Sequence, residues 1–278
     1  MNGTVKNILA TAAATLALAA CTTTQPQETE PQASAPTAPD TITYRKVDLP
    51  SGGKLLVFPC QQDTARSATV ILPGGGYCFL AEGHEGRDVA DWMCRDGQTA
   101  FVLLYRFPQT NPAVPNTDAR EAMEYARSHA DSLGHYAKVG IMGSSAGGHL
   151  ASTVATHTDL ADFQILLYPV ISMNPTLTHM GSHDFLLGQT PGKEAEELYS
   201  NDLQVTGKTP RAFIALSLDD DIVPALPNGV AYAEALARHG VPTTLLCYPR
   251  GGHGWGFNDT FEFAEQWKAE LKKFLREQ

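Results

Sequence analysis

The serine at the centre of Gly143-Ser144-Ser145-Ala146-Gly147 is the side chain best placed to act as a nucleophile. It lies between an apolar, strand-like run, Lys138-Val139-Gly140-Ile141-Met142, and a helix-like run over 147–155. Small residues on both sides permit a strand-to-helix turn too tight for larger side chains, and that turn lifts the Ser145 hydroxyl from a sheet edge. A serine hydroxyl is a poor nucleophile near neutral pH, so it needs a base, and the base needs an orienting carboxylate. His253, between glycines in Tyr248-Pro249-Arg250-Gly251-Gly252-His253-Gly254-Trp255-Gly256, sits on a loop that can swing over the strand ends. Three adjacent carboxylates, Asp219, Asp220 and Asp221, follow the strand-like Phe213-Ile214-Ala215-Leu216, and residue type alone leaves the choice among them open.

Attack on a carbonyl creates an oxyanion, which needs preorganised N–H donors. Ala146, next after Ser145, offers one. Gly75 and Gly76 in Pro73-Gly74-Gly75-Gly76-Tyr77 offer others, because backbone without side chains approaches a substrate closely. Tyr77 and Trp255 flank this machinery, where they can stack on a sugar or acyl group or serve equally as core aromatics. His149, one turn into the helix after Ser145, reads as a packed structural residue. His179 and His183 share a helical i, i+4 spacing, but no strong third ligand lies near them, so neither a metal site nor a cofactor is expected.

These groups have to be positioned by elements. Lys54-Leu55-Leu56-Val57-Phe58 and Ala68-Thr69-Val70-Ile71-Leu72 read as strands, with a turn at Gly52-Gly53 before the first. Further strands are expected over 100–104, 138–142, 163–167, 213–216 and 243–247. Helices are expected over 84–95, 117–132, 147–155 and 227–239, with a last one bearing Ala264, Trp267, Leu271 and Phe274. In the second of them Ala119, Ala122, Met123, Ala126 and Ala130 form one apolar stripe. Continuous apolar strands separated by helices imply an α/β fold, a mostly parallel sheet covered on both faces. Ligands of such sheets bind at the carboxyl ends of the strands, and every candidate group above follows a strand. Residues 172–210 show no strand and carry Pro175, Gly181, Gly188, Pro191 and Gly192; they are expected to form an insertion over the active edge.

The first twenty residues stand apart. One lysine precedes an uninterrupted run of small and apolar residues from Ile8 to Ala20, too short for an anchor helix and suited to a secretory signal. Leu18-Ala19-Ala20-Cys21 resembles a bacterial lipobox, which implies cleavage before Cys21 and lipid attachment there; the alternative is an ordinary signal cut at the Ala-rich end. Residues 21–40 contain no large apolar side chain and read as a flexible tether. Residues 41–278 then suit one domain, exported and held on a membrane surface, with the outer membrane the expected site. The net charge is −10 and no basic cluster occurs, which argues against nucleic acid as a partner and anionic polymers as substrates. Cys60, Cys78, Cys94 and Cys247 form no CxxC pair and leave disulfide bonding open. Oligomeric state is open too.

Taken together, the motifs resemble an α/β-hydrolase of the carbohydrate-esterase kind, similar to acetylxylan esterases and their prolyl-oligopeptidase-like and dienelactone-hydrolase-like relatives. The resemblance rests on P-G-G-G-Y at 73–77, Y-R at 105–106, G-S-S-A-G-G-H-L-A at 143–151, Y-P-V-I-S-M at 168–173, D-D-x-V-P at 220–224 and G-G-H-G-W-G at 251–256. It implies the chain order nucleophile, acid, base: Ser145, then Asp220 selected by the D-x-x-V-P turn, then His253. Pro73 stands where related esterases often have a histidine before the glycines. By resemblance the expected activity is removal of acetyl groups from plant polysaccharide, such as xylan or its oligosaccharides. The same triad permits an exopeptidase or a feruloyl-type esterase. A non-catalytic, glycan-binding surface lipoprotein on a relic hydrolase fold is the alternative of a different class.

Overall fold

In a computed structural model of the protein, residues 42–60, 62 and 64–277 are described. The signal, Cys21 and the tether lie outside them. Strands β1 (Arg45–Asp48), β2 (Lys54–Phe58), β3 (Ala68–Leu72), β4 (Thr99–Leu104), β5 (Val139–Ser144), β6 (Phe163–Leu167), β7 (Arg211–Ser217) and β8 (Thr243–Tyr248) form one sheet. Its order is β1-β2-β4-β3-β5-β6-β7-β8. From β4 to β8 every pairing is parallel; β1 and β2 run antiparallel at one edge. β1 escapes sequence reading because Arg45-Lys46-Val47-Asp48 is mostly polar and exposed, as an edge strand tolerates.

The central strands are apolar without alternation because both faces are covered: β3 and β6 are buried throughout. Covering them are α1 (Asp88–Arg95), α2 (Ala113–Ser128), α3 (Ser145–His157), α6 (Ala231–Arg238) and α7 (Ala264–Arg276). α2 starts four residues before its expected position, with Pro115 in its first turn, where a missing N–H costs nothing. It also ends earlier, and Ala130 falls in a separate short turn. Single π-helical turns, Gly83–Arg87 and Leu226–Val230, lead into α1 and α6. Between β6 and β7 the chain forms two short helices, α4 (Met180–Leu187) and α5 (Lys193–Leu198). The four cysteines of the described residues are thiols.

The parallel register aligns the chemistry. Leu72 pairs with Gly143 and Ser144 with Leu167, so the loops after β3, β5 and β6 leave the sheet at one level.

Candidate active site

Ser145 sits where β5 turns into α3, with φ = +52°, a left-handed conformation that costs a non-glycine residue energy. The flanking glycines are a steric requirement. A Cβ on Gly147 would overlap the carbonyl oxygens of Leu72 and Pro73, and one on Gly143 would overlap the carbonyl of Gly147. The tight turn therefore brings the Gly147 backbone against the end of β3.

His253 reaches Ser145 from the loop after β8. Its Nε2 lies 2.8 Å from Ser145 Oγ and its Nδ1 lies 2.7 Å from Asp220 Oδ2. The second Asp220 oxygen accepts the backbone N–H groups of Ile222 at 3.0 Å and Val223 at 2.9 Å, which orients the carboxylate. Asp219 points elsewhere. It accepts from the backbone of Gly252 at 2.8 Å and Gly251 at 3.2 Å, and these bonds hold its pKa below the ordinary value. Asp221 is exposed. Of the three carboxylates, Asp220 is the one within hydrogen-bond reach of His253. With Nδ1–H donated to Asp220, Nε2 is free to accept the Ser145 proton.

The loop after β3 supplies the candidate oxyanion donors. Gly75 and Gly76 both have positive φ, 130° and 61°. Gly74 is committed, since its N–H donates to Glu85 Oε2 at 2.7 Å, which leaves Gly75 and Gly76 beside Ser145. Tyr105 fastens the start of this loop by donating its hydroxyl to the Pro73 carbonyl at 2.7 Å. Ala146 stands in the first turn of α3, buried.

Glu85 was not legible beforehand. It is one of several acids in a polar stretch, between Glu82 and Asp88, with no spacing that marks it. In the structure it is buried, and it links three loops. Its Oε1 accepts the Tyr168 hydroxyl at 2.7 Å, and that hydroxyl accepts the Gly256 N–H at 2.8 Å. Burial and the neighbouring Glu85 charge push the Tyr168 pKa well above its ordinary value, so the phenol stays protonated and keeps donating. The Tyr168 ring also packs edge-on against His253, with centroids 4.9 Å apart. Tyr168 belongs to the Y-P-V-I-S-M motif, but no pattern in the sequence joins it to Glu85.

A cavity of about 360 Å³ opens over Ser145 and His253 and is lined also by Gly76, Phe79, His179 and Phe185. The two flanking aromatics lie elsewhere. Tyr77 is buried, its hydroxyl 2.8 Å from His149 Nδ1. Trp255 is buried against Phe261 and donates Nε1–H to Ser217. His149 is packed, with Nε2 on the Tyr199 carbonyl at 2.7 Å, and burial lowers its pKa to about 4. His183 is buried with Nδ1 2.8 Å from Asp184, while His179 Nδ1 faces Ser182. No group of three metal-ligating side chains gathers among the described residues.

Residues 109–278 match the profile of the prolyl oligopeptidase family. The chain is 36% identical over 238 residues to an acetylxylan esterase of Xylanibacter ruminicola, a match that covers 83% of this chain and 50% of that protein. It is 28% identical over 244 residues to an ethyl acetate hydrolase of Pseudomonas putida, covering 77% and 76% respectively. It thus spans about half the length of the first of these relatives. Among solved structures, the acetyl ester-xyloside bifunctional hydrolase from Caldicellulosiruptor lactoaceticus superposes with a TM-score of 0.76 at 32% identity, over 82% of this chain and 89% of that one.

Proposed function

The chain belongs to the prolyl oligopeptidase family, with an α/β-hydrolase fold, and from that premise we propose that it is a serine esterase that removes acetyl groups from acetylated plant polysaccharide or its oligosaccharides. Ser145 Oγ attacks the ester carbonyl as His253 Nε2 takes its proton. Asp220 keeps the imidazole oriented and stabilises the imidazolium. The N–H groups of Ala146 and of Gly75 or Gly76 receive the oxyanion. Collapse expels the sugar hydroxyl, protonated by His253, and leaves an acetyl group on Ser145. Water, deprotonated by the same imidazole, then releases acetate.

The observation that carries this reading is the unbroken hydrogen-bonded line from Ser145 through His253 to Asp220, at 2.8 and 2.7 Å. The acetyl and xylan parts draw their support from the 36% identical acetylxylan esterase and the 32% identical acetyl ester-xyloside hydrolase. Export as a lipoprotein anchored through Cys21, beside a polymeric substrate outside the cell, belongs to the same proposal and rests on the N-terminal sequence.

Acetate release from acetylated xylan by the wild type and by Ser145→Ala tests it. The substitution is expected to cut turnover at least about 10³-fold. Full activity in the variant contradicts the mechanism. Release of amino acids from peptides without ester turnover would assign an exopeptidase instead.

A further inference from the structure

His179 stands just before α4 and lines the same cavity as Ser145 and His253. Its Nδ1 accepts the backbone N–H of Ser182 at 3.2 Å and lies 2.9 Å from the Ser182 hydroxyl. A backbone donor aimed at Nδ1 means that the neutral ring carries its proton on Nε2. Burial first, then the nearby His253, lower the His179 pKa against the pull of Asp220, so the neutral ring is the resident form. The ring lies over the glycine loop, with Cε1 3.8 Å from where a side chain on Gly76 would begin.

Few other groups in this cavity can bind a polar substrate. Phe79, Phe185 and Ile222 offer no donor. Glu85 is occupied by Gly74 and Tyr168, and His84 Nε2 lies 3.1 Å from the Gly254 carbonyl. The Nε2–H of His179 meets no partner among the described residues.

We propose that His179 recognises the alcohol half of the ester, its Nε2–H donating to a hydroxyl or ring oxygen of a sugar leaving group. The inference rests on the esterase reading above. The leaving oxygen must lie within hydrogen-bond reach of His253, which protonates it, so the atoms flanking that oxygen occupy the cavity that both imidazoles line. An acetyl group fills little of about 360 Å³, and the remainder is room for the alcohol.

The variant His179→Asn separates this role from the capping of α4. Asparagine is a favoured N-cap and can still accept the Ser182 N–H, but it is too short to carry a donor into the cavity. With the full chain, kcat and KM are measured on a monoacetylated xyloside and on p-nitrophenyl acetate, whose alcohol bears no hydroxyl neighbour. The loss of kcat/KM is expected to be about five- to twentyfold greater on the sugar ester, mainly through KM. The unfolding midpoint should stay within about 3 °C of wild type.

Equal losses on the two esters, no loss on the sugar ester, or no turnover of the sugar ester by the wild type would each overturn the proposal. A lowered midpoint with equal losses marks a cap effect and overturns it too. Ser145→Ala, assayed alongside on both esters, isolates the underlying reading: retained turnover there sinks the Ser145 mechanism whatever His179 does.

Discussion

At the scale of the residue, three aspartates in a row are chemically alike, and backbone geometry separates their tasks. Asp220 sets one oxygen on His253 and the other on the N–H groups of Ile222 and Val223, while Asp219 braces Gly251 and Gly252. Asp220→Asn is therefore expected to lower kcat by about 10²- to 10⁴-fold, since the amide no longer fixes the imidazole tautomer that can accept the serine proton. Asp219→Asn should cost less than about tenfold, because an amide oxygen still accepts one of the two backbone bonds. Steady-state kinetics on an aryl acetate distinguishes the two, and equal losses would contradict the division of roles. Ser145 and His253 were legible because glycines bracket both, and only tight backbone explains such brackets. Glu85 and Tyr168 were not, because their pairing joins residues 83 positions apart through side-chain atoms that no local pattern records.

At the scale of the element, uninterrupted apolar runs made the strands from β2 to β8 readable. The polar edge strand β1 gave no such signal, and α4 and α5 are too short for a periodic stripe to emerge among the glycines and prolines around them. His149 shows how these elements are tied together. From α3 it bonds Tyr77 on the glycine loop and the Tyr199 carbonyl beyond α5. The carbonyl can only accept, so the proton of the neutral ring sits on Nε2 and Nδ1 accepts the Tyr77 hydroxyl. Burial lowers its pKa to about 4 in the folded protein, against about 6.5 for an exposed imidazole. As pH falls through 6.5 the unfolded chain takes up the proton and the folded one does not. The stability from this site is present above pH 6.5 and is lost between about 6.5 and 4, about 3 kcal/mol in all. Denaturant unfolding across that window should show the loss in the wild type and a shallower slope in His149→Gln. Identical slopes would mean that the site is not held neutral.

At the scale of the whole molecule, the sheet brings to one edge groups that lie far apart in the chain. Ser145 and His253, 108 residues apart, follow β5 and β8, and Asp220 follows β7. That convergence was legible from strand-then-motif order alone, since every candidate group came after a strand and parallel strands end on one side. The cavity was less legible. Its walls come from the glycine loop, from the segment between β6 and β7, and from Ile222, and only tertiary packing shows which side chains of each turn inward. Tyr77 and Trp255 follow from the same limit: position beside a motif does not distinguish a ring facing substrate from a ring facing the core. If the proposed mechanism holds, Ser145 carries the acyl group between two half-reactions. Mixing the enzyme with an aryl acetate, quenching within the first turnovers and mapping peptides by mass spectrometry tests it most directly. One acetyl group is expected on the peptide carrying Ser145 and none in Ser145→Ala. Steady turnover with no acetylated Ser145, or the same adduct in the alanine variant, would contradict it.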